Sequence, residues 1–112
     1  MKKDIVAFTD FGKLDFRVGQ VTGALPVPKS KHLLELTVDL GEDYGIVTIL
    51  SGLAPTYLPE NLINNKYIFL ANLEPRQMMG KSSQGMMMVA DDPTKFELMP
   101  LDNNLKNGTV IR

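Results

Sequence analysis

Arg76 and Lys81, with Asn72 before them and Ser83, Gln84 and Met86 after, fall inside one segment, Ala71 to Met86, that also holds Pro75, Gly80 and Gly85. A guanidinium forks onto phosphate oxygens, a lysine supplies a point charge, and amides and hydroxyls read base edges or phosphates. From Pro75 to Ala90 there is no carboxylate to oppose them. The segment is built for contact with a polyanion rather than for burial in a core.

Other chemistries lack their parts. There are no cysteines, so thiolate metal sites, disulfides and cysteine nucleophiles are excluded together. His32 is the sole histidine, and a zinc site would need carboxylates for every other ligand. Ser51, His32 and Asp39 form no triad with a nucleophile elbow around the serine. Met78, Met79, Met86, Met87 and Met88 do not make a soft-metal site, because alternate residues of a strand face opposite ways. One face of that run belongs in the core and the other in a groove or a subunit surface. The reading is therefore a binding protein, not an enzyme, with no cofactor and no metal.

These groups must be held by a small fold. The 112 residues make one domain, and the 44% hydrophobic and 22% charged fractions are those of a folding chain. A net charge of −1 makes a modest, salt-sensitive affinity for nucleic acid, from a basic face assembled in space out of Lys29, Lys31, Arg76 and Lys81. Only 7% of residues are aromatic, too few for the base-stacking platforms of a single-stranded DNA binder. No apolar run approaches the roughly 20 residues needed to span a bilayer, and no signal peptide develops after Met1. A cytoplasmic protein is expected, and the start at Met1 and end at Val110-Ile111-Arg112 read as a complete small protein.

The pattern of apolar residues gives the scaffold. Phe8 and Phe11, three apart, suit a turn or two of helix near the start. Leu14, Phe16, Val18 and Val21 alternate with a slip near Gly19 and Gly23, predicting a long strand bent by a bulge. Leu34, Leu36, Val38 and Leu40 alternate cleanly and lead through Gly41–Gly45 into Ile46–Leu50, a hairpin. Pro55 to Ile63 predicts a short helix, with Pro59 and Glu60 in its first turn. Lys66–Asn72 and Gly85–Ala90 are the next strands, joined by the polar segment. The class is all-β: a five-stranded OB-fold barrel with a short helix between strands 3 and 4 and a C-terminal extension. The barrel spans about residues 8–91 and the extension 92–112. A split α+β sandwich is the other arrangement compatible with the pattern.

Six pieces of the chain, in order, resemble the tRNA-binding domain found at the C-terminus or as the beta subunit of methionyl-tRNA synthetase, and as free-standing tRNA-binding proteins. They are Phe11-Gly12-Lys13-Leu14-Asp15-Phe16-Arg17-Val18-Gly19, Leu33 to Gly41, Leu50-Ser51-Gly52-Leu53, Tyr57 to Ile63, Asn72-Leu73-Glu74-Pro75-Arg76, and Gly80 with Ser83-Gln84-Gly85-Met86. The resemblance implies an OB-fold that grips tRNA by shape, adding affinity to a synthetase in cis or in trans. It places tRNA contacts on Asn72, Arg76, Ser83 and Met86, and on a lysine before the paired leucines. Here that last position is His32, preceded by Lys31, a departure that makes the contact responsive to pH near neutrality. It also implies a homodimer, for which Phe96, Leu98 and Met99 of the extension would suit the interface. A second class of partner follows from the Leu14–Gly19 start, which is similar to that of secretion chaperones: a dimer whose groove takes unfolded peptides.

Overall fold

The computed structural model describes residues 1–112, and its architecture is a nearly closed five-strand barrel, consistent with an OB-like fold. The strands are β1 (Phe16–Pro26), β2 (Leu34–Asp39), β3 (Ile46–Ser51), β4 (Lys66–Leu70), β5 (Arg76–Met78), β6 (Lys81–Ser83), β7 (Met86–Met87), β8 (Ala90–Asp92), β9 (Lys95–Glu97) and β10 (Val110–Ile111). The main sheet runs β3-β2-β1-β4-β7, every neighbour antiparallel, with β10 added to the start of β1.

β1 is the strand that turns the sheet into a barrel. Its first half pairs with β4, Phe16 opposite Leu70 through Gln20 opposite Lys66, and its second half pairs with β2 up to Pro26 opposite Leu34. The register shifts between Val21 and Gly23, the expected bulge, which bends the strand so that it serves both halves. Gly19 is required here by space: a Cβ at that position would lie 2.6 Å from Cδ1 of Phe69 and 2.8 Å from Cδ2 of Leu40. The alternation in β2 buries Leu34, Leu36 and Val38, and these close over Val21, Ile49, Leu62 and Phe69 to form the core.

The structure keeps the expected helical turn near the start but not the helix expected between strands 3 and 4. The α-helix α1 (Phe8–Phe11) lies near the N-terminus, and the expected helix between strands 3 and 4 is reduced to one 3-10 turn, Pro59–Asn61. Leu58 N–H is capped by Asn61 Oδ1 at 3.0 Å, and Asn64, at φ +72°, ends the turn and donates its N–H to the Val21 carbonyl. The short segment is captured by β1 before a second turn can form.

The polar segment also differs from a simple loop. Arg76 pairs with Ser83, Gln77 with Ser82 and Met78 with Lys81, a separate hairpin leading into a β7 of two residues. In the extension, β8 and β9 form a second hairpin, and Phe96 and Leu98 pack against the core, with Phe96 edge-on to Tyr57.

Candidate nucleic-acid interface

The barrel closes at the seam between β3 and the β6–β7 segment, and it closes through side chains as much as backbone. Gln84 N–H donates to the Thr48 carbonyl at 2.8 Å, and its Oε1 accepts the Thr48 N–H at 3.2 Å, reproducing a backbone pair with an amide side chain. Ser83 Oγ accepts the Leu50 N–H at 3.0 Å and donates to the Gly85 carbonyl at 3.2 Å. Ser83 is buried, so its hydroxyl is turned inward, with its one proton donated within the scaffold. Gln84 stood out in the sequence as a polar member of the Ser-Gln-Gly-Met run, but not as a residue that closes the barrel.

The hairpin stands on this seam. Arg76 is exposed and pairs with no carboxylate, leaving its donors free. Lys81 is otherwise engaged: its Nζ lies 2.8 Å from Oε1 of Glu35, on the outward side of β2. Glu35 faces Leu50 in the β2–β3 register, so Ser83, Leu50, Glu35 and Lys81 form one local cluster. Sequence reasoning missed Glu35, whose only signal was an acid alternating outward on β2.

Lys31 and His32 enter from the loop between β1 and β2, four and three residues before Glu35. Lys31 is exposed and unpaired. His32 is exposed, its Nδ1 3.3 Å from the Ala54 carbonyl, and its own carbonyl accepts the Ala54 N–H at 3.0 Å, fixing the loop to the segment after β3. Lys81 of the hairpin thus reaches Glu35, the second residue of β2, close in sequence to this loop.

Met86 and Asn72 sit at the far end of the seam. Met86 pairs with Leu70 and is 40% exposed, while Met87 beside it is buried, the two-faced arrangement that alternation demands. Asn72 is tied up: its Nδ2 donates to the Lys13 carbonyl at 2.7 Å and its Oδ1 accepts the Asp15 N–H at 2.9 Å. It fastens α1 to the barrel with both ends of its amide. Of the seven candidates, the structure leaves Lys31, His32, Arg76 and Met86 with exposed contact groups, and engages Asn72, Lys81 and Ser83 in the scaffold.

A second polar cluster lies at the other end of β1. Arg17 makes a fork to Asp15, Nε to Oδ1 at 2.7 Å and Nη2 to Oδ2 at 3.1 Å, and its Nη1 reaches Asp43 and the Gly108 carbonyl, both at 3.0 Å. Tyr44 donates its hydroxyl to Asp15 and lies beneath the guanidinium, 5.3 Å from ring centre to Cζ. The Arg17 hydrogen bonds hold the Asp15 carboxyl below its usual range, and Asp15 in turn pushes the Tyr44 phenol up. The cluster is a clamp on the C-terminal loop.

A family model described as "Putative tRNA binding domain" matches residues 16–110. The chain belongs to the tRNA-binding domain family. The domain is 44% identical over 110 residues to the methionine–tRNA ligase of Methanosarcina mazei, covering 96% of this chain and 15% of that protein. It thus spans about 15% of the length of that curated relative. Among solved structures it superposes on a MetRS related protein from Pyrococcus horikoshii with a TM-score of 0.91, at 32% identity, covering 98% of this chain and all of that one (100%). It superposes also on chaperone CsaA from Bacillus anthracis, with a TM-score of 0.84 at 27% identity, covering 97% and 100% of the two chains. No helix is long and apolar enough to cross a membrane.

Proposed function

We propose that this domain binds folded tRNA by shape, with little reading of sequence, through the seam and hairpin described above. The observation that carries this reading is Arg76, exposed and unpaired on a stretch with no carboxylate from Pro75 to Ala90, within a chain of the tRNA-binding domain family. Lys31, His32 and Met86 add a cationic and an apolar contact at the two ends. Asn72 and Ser83 act by holding the surface in place. No chemistry is required of the domain. It serves methionyl-tRNA synthetase in the cytoplasm, joined to it or in trans, by raising the local concentration of tRNA.

The domain is a homodimer in this proposal. Phe96 and Leu98 of the extension are half-buried against the core and Met99 is 39% exposed, while Ile5, Val6 and Phe8 near the N-terminus are largely exposed and Phe8 shares a groove with Val110 of β10. Exposed apolar side chains of this kind are candidates for an interaction site.

That surface, with the likeness to a chaperone, favours one second reading: a dimer that takes unfolded peptides. Fluorescence anisotropy with folded tRNA, unstructured single-stranded RNA and duplex DNA, at low and near-physiological salt, separates the two. Preference for folded tRNA, lost by about 1–3 kcal/mol in Arg76→Ala, supports the first. Equal or absent binding to all three moves the function to peptides.

A further inference from the structure

Met79 occupies a position that suits it neither as backbone nor as side chain. Only Met79 and Gly80 lie between the cross-strand pair Met78 and Lys81, and their φ angles are +53° and +78°. A two-residue hairpin turn with both residues left-handed calls for Asn, Asp or Gly at the first position, because a Cβ crowds the backbone there. Met79 has none of the local polar bonds that let Asn adopt this conformation. Its side chain is also 52% exposed at the tip of the hairpin, where an apolar group gains nothing from folding. Strained, exposed apolar residues are retained where something else uses them.

We propose that Met79 is a contact and specificity residue for the nucleic acid: its thioether lies against an unstacked base or a ribose face of the tRNA, while Arg76 holds the neighbouring phosphates. The inference rests on the tRNA-binding reading and deepens it. Charge selects the partner, since the hairpin carries the unpaired Arg76 and no acid of its own, while Lys81 is held by Glu35 of β2. Shape selects the mode. The turn holds Met79 half-exposed at the tip of the hairpin, an unbranched thioether adapts to an irregular surface, and methionine is among the apolar side chains that wedge against bases. Folded RNA offers such faces at its loops, whereas a regular duplex does not. Met79 therefore distinguishes folded tRNA from duplex nucleic acid of the same charge.

The test is Met79→Asn beside Met79→Leu, each measured for thermal midpoint, for affinity toward folded tRNA and toward duplex RNA, and for salt dependence. Met79→Asn relieves the turn, so its midpoint is expected to hold or rise. Its tRNA affinity is expected to fall about fivefold to tenfold, equivalent to losing about 50 Å² of buried apolar contact. Its duplex affinity and salt slope should stay unchanged, because no phosphate contact is lost. Met79→Leu, with similar volume and no polar atom, should bind tRNA within about twofold of the parent. Unchanged tRNA affinity in Met79→Asn, or a loss shared equally by duplex RNA, overturns the proposal while leaving the tRNA reading intact. Failure of the parent protein to bind folded tRNA overturns both.

Discussion

Ser83 Oγ sits 3.0 Å from the Leu50 amide and, through its own proton, 3.2 Å from the Gly85 carbonyl, so one hydroxyl joins the end of β6 and the residue before β7 to β3. A buried amide loses its acceptor if that oxygen is removed, and the penalty falls on folding before it reaches any ligand. Ser83→Ala should lower stability by about 1–3 kcal/mol in urea denaturation. Under conditions where the variant is fully folded, its salt slope for tRNA should match the parent's. A reduced slope would return Ser83 to the phosphate-contacting set.

Asn72 has the same logic at the other end of the seam. Its amide is the only side chain bonded to both Lys13 and Asp15, on either side of Leu14. α1 buries none of its residues, so packing alone does not hold it. Asn72→Ala should therefore raise amide hydrogen exchange over residues 8–15 while the β2–β3 hairpin keeps its protection, and should cost about 1–2 kcal/mol overall.

The sequence disclosed what depends on alternation and concealed what depends on a partner distant in the chain. β2 and β3 were legible because Leu34, Leu36 and Val38 alternate, and the β1 bulge because the alternation slips around Gly23. Pro55–Ile63 looked helical because Pro59 and Glu60 fit a first helical turn. Whether a second turn follows depends on the Val21 carbonyl that receives Asn64, which no local pattern reveals. For the site, residue types identified Arg76 and Lys31 as candidates. They did not reveal that Lys81 is held by Glu35 from β2, or that the Asn72 and Ser83 side chains are consumed by the scaffold. Nor did they reveal that Phe96 and Leu98 pack against the barrel's own core, because apolarity alone does not say what a residue covers.

Arg17 links Asp15, Asp43 and Gly108, and so binds β1 to the turn after β2 and to the loop before β10. Asp15→Asn leaves a largely buried guanidinium with half its fork, at a cost of about 1–3 kcal/mol. The pH dependence follows from the lowered Asp15 pKa. A carboxyl held below its unfolded value contributes stability that is complete above that value and is lost as pH falls through the folded one. The parent should lose this contribution below about pH 4, and Asp15→Asn should show a flatter acid limb in chemical denaturation followed from neutral pH downward.

Gly19 tests the core beneath the same strand. A methyl group there would meet the Phe69 ring at 2.6 Å and Leu40 at 2.8 Å, and neither neighbour has an open side to move toward, since both are fully buried. Gly19→Ala should destabilise by about 1–3 kcal/mol through overpacking, with no change in the salt slope of binding once folded. A neutral outcome in thermal or urea unfolding would mean that β1 can shift away from Phe69.

Glu35 offers a gain of function. Its carboxylate holds Lys81 at 2.8 Å, with the two side chains 27% and 39% exposed, so in the free domain Glu35 stands where a phosphate oxygen would otherwise be received. Surface pairs of this kind are worth little to folding, up to about 1 kcal/mol, so stability should barely change in Glu35→Gln. Binding is another matter, because a freed ammonium can displace one more counterion from the tRNA. Affinity at low salt should rise about two- to fivefold, and the salt slope should steepen by about one counterion. In a Lys81→Met background the same substitution should leave the slope unaltered, since no cation is released. Steepening there as well would mean that Glu35 repels tRNA through space and that Lys81 is not its means of doing so.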